Sequence, residues 1–175
     1  FDEKLDFMVS GQNLSELTAR SILQFQTLLD KLLIDRLDVI GIMAQGDTTT
    51  VMISSMVAFY NKTRFFHVEA GLRSFDLEDP FPEEFNRKVV SIVTSVHFAP
   101  TDLARMNLIG EGVKEKKILV TGNTVVDALD HIAKSKQFSL CKETSKLLIQ
   151  LQNYESLVLV TCHRRENFGE KLKNI

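Results

Sequence analysis

Between Gln45 and Arg87 the chain gathers side chains able to move protons and hold anions, in three pieces: QGDTTT at 45–50, HVEAGLR at 67–73 and DPFPEEFNR at 79–87. Asp47, Glu69, Glu83, Glu84, Arg73, Arg87 and His67 lie among small residues and apolar runs. Charged groups in such surroundings are costly unless they are paired or used.

Gly46 and the threonines around Asp47 suit a strand-to-helix turn. Backbone N–H groups at Gly46 and the Thr48 hydroxyl could meet a phosphate or sugar there, with Asp47 as acid, base or ligand orienter. Asp47 could equally be a simple helix N-cap. A Walker loop is excluded, because its Gly-Lys-Ser/Thr is absent. Glu69 follows an apolar run and precedes Ala70-Gly71, small residues that let another backbone or a ligand approach closely. Desolvation would raise the proton affinity of a carboxylate placed there and fit it for acid/base work. The structural alternative is an ion pair with a neighbouring arginine such as Arg73. Glu83 and Arg87 are four apart and can pair on one helix face; most such pairs are surface salt bridges of little energetic weight. The prolines at 80 and 82 favour a pre-positioned Glu83, which leaves Glu84 to solvent or to a structural role. A further group, His163, Arg164, Arg165 and Glu166, directly follows the apolar LVLVTC. Two cations and an imidazole at a helix N-terminus suit a diphosphate, whereas the plain alternative is a charged loop. His67 and His97 read as core histidines, His131 as a helix-surface one and Cys162 as a small buried thiol. No spacing of His, Asp or Glu makes a metal site.

Alternating elements would hold these groups. Asn13 and Glu16 form a capping box for a helix reaching about Ile34, with Leu14, Leu17, Ile22, Phe25, Leu29 and Leu32 on its apolar face. The apolar runs 38–44, 64–68, 97–99, 117–121 and 157–161 read as short strands buried on both faces. Helices are expected over 49–60, from Pro82 to about 95, from the Thr101 cap to about 110, and over 124–134. No hairpin signal interrupts the alternation, so the expected fold is α/β, a three-layer, Rossmann-like parallel sheet between helices. The polar clusters QGDT, HVEAG, APT, TGNT and CHRREN each follow a strand, which puts them on the carboxyl edge where ligands of open α/β sheets bind. Residues 1–134 read as part of one Rossmann-like domain, 135–156 as a charged, helix-biased connection and 157–175 as the start of a second domain.

Bulk properties narrow the class. The 175 residues are 44% hydrophobic and 25% charged, the balance of a soluble globular protein. A formal net charge of −2 argues against a nucleic-acid surface. No apolar run is long enough for a membrane span, and no signal peptide is evident. The two cysteines form neither a CxxC nor a disulfide framework, which fits a reducing cytoplasm. The chain opens on Phe1 without Met and closes inside what reads as a new helix, as expected of an internal fragment.

GDTTT, HVEAGLRS, PFPEEFNR, HFAPTDLARMNL, VTGNTVVDAL and HRREN, in this order and at these separations, closely resemble the non-hydrolysing UDP-N-acetylglucosamine 2-epimerases. The resemblance runs from about Leu5 to the C-terminus. It implies a truncated two-domain architecture of the glycosyltransferase-B kind and interconversion of UDP-GlcNAc and UDP-ManNAc, by elimination of UDP and its re-addition, without cofactor or metal. By motif position Asp47, Glu69 and Glu83 resemble the family's catalytic carboxylates. Arg87 and His163 resemble its substrate-contacting residues, with His163 and Arg164 near the diphosphate; Gly46 and Thr48 belong to the same substrate-binding turn. It further implies a homodimer at full length, UDP-GlcNAc and UDP as ligands, and a role in cell-surface polysaccharide synthesis. The family's opening Gly-Thr-Arg-Pro-Glu loop and its Asp-Ser-Gly-Gly and Gln-Glu-Glu segments are not in this chain, so the fragment alone should be inactive. An Arg that some members use in allosteric UDP-GlcNAc binding is Gly11 here. A non-catalytic UDP-sugar-binding or regulatory module, or a glycosyltransferase of the same architecture, are the alternative functions.

Overall fold

A computed structural model describes residues 3–34, 39–135, 141–158 and 160. The first helix, α1 (Leu14–Ile34), starts where the capping box requires: the Asn13 N–H donates to Glu16 Oε2 at 3.0 Å and the Glu16 N–H to Asn13 Oδ1 at 2.9 Å. Its apolar face brings Ile22, Phe25 and Leu29 against the second helix, α2 (Thr49–Tyr60).

That second helix has no polar side to speak of. Val51, Met52, Ile53, Val57 and Ala58 are buried around its circumference, and so are Ser54 and Ser55. The two hydroxyls escape a desolvation penalty by donating to Val51 O and Met52 O at 2.8 and 2.7 Å. A helix apolar all round belongs in an interior. This one packs against α1, the sheet and α3 (Glu83–Val93).

Four strands, β1 (Ile42–Gln45), β2 (Phe65–Val68), β3 (Val96–Ala99) and β4 (Ile118–Val120), pair in parallel in the order β1-β2-β3-β4. The register Ala44↔His67↔His97↔Ile118 aligns one row of side chains and Gln45↔Val68↔Phe98↔Leu119 the next. The first row belongs to the buried face with Phe65 and Ala99, while Phe66, Val68, Val96 and Phe98 of the other face are half-buried and Met43 and Leu119 exposed. The expected strand was 38–44; residue 38 lies outside the described residues, and β1 starts at Ile42 and runs on to Gln45 because pairing needs a partner and β2 begins at Phe65, opposite Ile42.

The chain between β3 and β4 forms α4 (Asp102–Gly110), whose Thr101 cap accepts the Ala104 N–H at 3.1 Å, and one 3-10 turn at Glu115–Lys117. The remaining described helices, α5 (Thr124–Lys134) and α6 (Lys142–Leu151), belong to a second compact unit, Thr124–Ile175, separate from the Phe1–Asn123 unit that holds the sheet. Within it Cys141 caps α6, its Sγ accepting the Thr144 N–H at 3.4 Å. The apolar residues Val125, Val126, Leu129 and Ile132 of α5 are exposed. The expected strand at 157–161 is not among the assigned elements; residue 159 and everything from 161 onward lie outside the described residues. Among the described residues no helix is long and apolar enough to cross a membrane.

Candidate active site at the carboxyl rim

Because the four strands are parallel, QGDT, HVEAG, APT and TGNT all leave the sheet at one end; Asp47 and Glu69 follow β1 and β2 there, and Glu83 opens α3, the helix whose Asn86 and Arg87 bond Asp47. Gly46 turns the chain after β1 with φ +87, donating its N–H to Val68 O at 3.1 Å and accepting the His67 Nε2 contact on its carbonyl at 2.8 Å. Glycine adopts that left-handed conformation without the Cβ clash other residues meet. Thr48, and not Asp47, is the N-cap of α2: its Oγ1 accepts the Val51 N–H. The simple capping role for Asp47 is thereby removed, while Thr48, expected at the substrate, has its hydroxyl engaged with the helix.

Asp47 instead faces α3. Arg87 donates from both Nε and Nη2 to Asp47 Oδ2, at 3.0 and 2.7 Å, and Asn86 Nδ2 donates to the Asp47 carbonyl at 2.7 Å. The Arg87 and Asp47 side chains are 15% and 27% exposed, so the pair is shielded but reachable from solvent. Arg87 does not pair with Glu83, four residues before it on the helix. Its Nη1 goes to Glu84 Oε2 at 3.2 Å. Glu84 is fully buried and also accepts the Ser74 and Phe75 N–H groups, which settles its alternatives in favour of structure. α3 begins at Glu83, with Pro82 at its N-cap position, and the two glutamates in its first turn sit where the helix dipole favours negative charge. Glu83 is half-buried and has no hydrogen-bond or ionic partner among the described residues.

Glu69 directly follows β2 at φ +66, a left-handed conformation that costs a side-chain-bearing residue about 1–2 kcal/mol. Its Oε1 accepts from Asn123 Nδ2, in the turn after β4, at 3.2 Å. Its Oε2 lies beside Gly46, 3.9 Å from where a Cβ would stand. Arg73, the considered partner of Glu69, is occupied elsewhere. Its side chain is wholly buried, donates to Glu111 Oε2 at 2.6 Å and Oε1 at 2.8 Å, and reaches Ser91 Oγ at 2.8 Å. These bonds hold the Glu111 carboxyl below the usual range. Ala70 and Gly71 do admit a close backbone, and it is that of α4, as Ala104 O lies 2.3 Å from a would-be Gly71 Cβ.

His67 and His97 are core residues, as expected, but each leaves a buried Nδ1 without a partner among the described residues. Burial pushes both imidazoles towards the neutral form. His97, further repelled by His67, Lys117 and Arg73, is held down at about 4. His67 thereby serves the rim through its contact with Gly46. A cavity of about 350 Å³ beside His97, lined also by Ser91, Glu111, Lys114 and Lys117, contains none of the expected site residues. His163, Arg164 and Cys162 lie outside the described residues.

Sequence reasoning missed Asn86 and Asn123 as anchors of Asp47 and Glu69, and Glu84 as a partner of Arg87. Asn123 stood in the TGNT cluster already placed on this rim; nothing in the spacing of Asn86 or Glu84 marks the bonds they form.

Residues 2–175 match the family model described as UDP-N-acetylglucosamine 2-epimerase. The UDP-N-acetylglucosamine 2-epimerase of Neisseria meningitidis serogroup A is 39% identical over 99% of this chain and 46% of its own length. A putative UDP-N-acetylglucosamine 2-epimerase of Clostridium acetobutylicum is 42% identical over 99% of this chain and 43% of its own. The crystal structure of the Neisseria meningitidis enzyme bound to UDP-GlcNAc superposes with a TM-score of 0.82, covering 96% of this chain and 44% of that one at 39% identity. A putative Listeria monocytogenes epimerase structure gives 0.80 at 37% identity, over 95% of this chain and 40% of that one. The chain therefore spans under half the length of the relatives it matches, and it shares their parallel α/β fold. It belongs to the UDP-N-acetylglucosamine 2-epimerase family.

Proposed function

We propose that the protein to which this chain belongs epimerises C2 of UDP-N-acetylglucosamine to give UDP-N-acetylmannosamine, without hydrolysing the nucleotide sugar. The observation that carries this reading is that Asp47 and Glu69 follow neighbouring parallel strands on one rim, with Asp47 bonded to α3, the helix that Glu83 opens. Each keeps at least one carboxylate oxygen without a donor among the described residues: Asp47 Oδ1, Glu69 Oε2 and both oxygens of Glu83. Related proteins carry the epimerase name, and two of the similar solved structures contain UDP-GlcNAc.

The reaction needs a base at C2 and an acid on the opposite face of the sugar. A carboxylate takes the C2 proton, and the electron pair left behind forms the C1–C2 double bond of a 2-acetamidoglucal. The anomeric C–O bond breaks and UDP leaves with its electrons. Protonation of C2 from the other face, with UDP returning to C1, completes inversion. UDP must stay bound throughout, so cations are required at its diphosphate. Arg87 has N–H groups to spare, and His163 and Arg164 are the proposed diphosphate contacts. We assign residues 1–134 to a Rossmann-like domain, counting α5 with it although that helix belongs to the second compact unit, 135–156 to its connection and 157–175 to the beginning of a second such domain, in a cytoplasmic homodimer serving polysaccharide synthesis.

Incubating the full-length protein with UDP-GlcNAc in heavy water tests the reaction. UDP-ManNAc carrying deuterium at C2 is the expected product, and epimerisation without exchange at C2 would overturn the elimination route. No turnover by the full-length protein would favour a binding module, and sugar transfer to an acceptor a glycosyltransferase. The 175-residue chain alone is expected to be inactive, since its proposed site occupies only part of the relatives' length.

A further inference from the structure

The carboxylate of Glu84 is fully buried at the rim, yet none of the proposed proton transfers uses it. Removing a carboxylate entirely from water costs several kcal/mol unless hydrogen bonds and an opposite charge compensate. Glu84 has both. Oε2 accepts the Ser74 N–H at 3.1 Å and Arg87 Nη1 at 3.2 Å, and Oε1 accepts the Phe75 N–H at 3.2 Å. The two backbone donors belong to the β2–α3 loop at a point where Phe75 takes φ +64. Glu84 is thus fixed from two sides: by its helix, and by a loop that cannot relax without losing both bonds.

The third bond carries the consequence. A guanidinium is planar, so fixing Nη1 fixes the direction of the Nε/Nη2 edge. That edge is the one Arg87 turns to Asp47 Oδ2. With Asn86 holding the Asp47 carbonyl, the first turns of α3 clamp the β1–α2 turn through two residues and the β2–α3 loop through a third. We propose that Glu84 is a positioning residue: it touches no substrate, but it sets the orientation in which Arg87 meets Asp47 and thereby the placement of both at the sugar. This role rests on the epimerase reading of the rim and adds to it a residue with no assigned part.

A double-mutant cycle in the full-length protein tests it, using Glu84→Gln, Arg87→Met and the pair. Gln can accept one backbone N–H but presents an NH2 to the remaining donors. Misplacement of a substrate-facing group on this scale lowers kcat by about 10²-fold, and KM should change far less. If Glu84 acts through Arg87, the double variant is no slower than Arg87→Met to within about twofold. Multiplicative losses, or wild-type kcat in Glu84→Gln, would overturn the proposal. Glu84→Asp supplies a second variant should Gln prevent folding. It keeps the charge, but one methylene shorter it cannot hold Arg87 and both N–H groups, and the same coupling is expected.

A readout independent of turnover is solvent exchange at the Arg87 Nε–H, its NMR signal assigned by loss in Arg87→Met. Exchange should speed up by at least about tenfold in Glu84→Gln or Glu84→Asp while unfolding stays cooperative; unchanged exchange would overturn the positioning role. If the wild-type protein does not epimerise UDP-GlcNAc, the functional reading fails on that result, and the exchange measurement still decides what Glu84 does to Arg87.

Discussion

Glu69 combines the conformational cost of φ +66 with a side chain held, among the described residues, by one neutral donor, Asn123. Local strain that the surrounding structure maintains is a mark of a functional position. Gln at this site would keep an oxygen for the Asn123 bond and the same backbone, so Glu69→Gln should fold with a midpoint of urea unfolding close to wild type. Its kcat for epimerisation should fall by about 10²-fold or more, the scale of a lost general acid or base. A large stability loss with little change in kcat would place Glu69 in the scaffold. Arg73 is the opposite case. It was a plausible partner for Glu69 on sequence proximity, but its wholly buried side chain is spent on Glu111, Ser91 and the Leu72 carbonyl, tying the β2–α3 loop to the ends of α3 and α4. Two arginines in one motif region thus divide into one that braces and one that faces the site, and their chain spacing does not say which.

The elements at the rim are held by close backbone contact as much as by side chains. After β2, Gly71 at φ +88 lets the chain pass within van der Waals reach of α4; a Cβ there would stand 2.3 Å from Ala104 O and 2.9 Å from Leu108 Cγ. Both the conformation and the space refuse a side chain. Gly71→Ala should therefore cost about 3 kcal/mol in urea unfolding, summing the penalties for left-handed backbone and overpacking. A loss under about 1 kcal/mol would show that α4 can move aside. Because Glu69 is two residues away, the same substitution should also lower activity in the protein that remains folded. α3 shows how an element concentrates function: its start offers Glu83 with no partner among the described residues, Glu84 buried, and Asn86 and Arg87 bonded to Asp47.

At the scale of the whole sheet, the paired His67 and His97 put two imidazoles in register on the buried face. His97 is held at about 4 against an ordinary 6.5, first by burial and then by repulsion from His67, Lys117 and Arg73, and burial lowers His67 in the same direction. Between those limits the unfolded chain binds more protons than the folded one. Stability is therefore full above about pH 6.5 and lost as pH falls towards 4. Urea unfolding at pH 7 and pH 5 should show a clear drop for the wild type and a smaller one for His97→Leu; equal drops would mean that His97 takes no part in the acid response. Much of this molecule was readable beforehand. The Asn13–Glu16 box, the Thr101 cap, the apolar runs and their polar sequels determine which segments become helices and strands, because capping and periodicity are local properties of the chain. The same runs imply a parallel sheet, and a parallel sheet places QGDT, HVEAG, APT and TGNT on one rim. Local pattern could not decide which partner each charge takes. Arg87 turns from Glu83 to Asp47 and Glu84, Arg73 from Glu69 to Glu111, and Asn123 reaches back to Glu69, contacts between residues far apart in the chain except for the Arg87–Glu84 pair. Such pairings are fixed only when packing decides which groups lose water together, and that is a property of the tertiary structure.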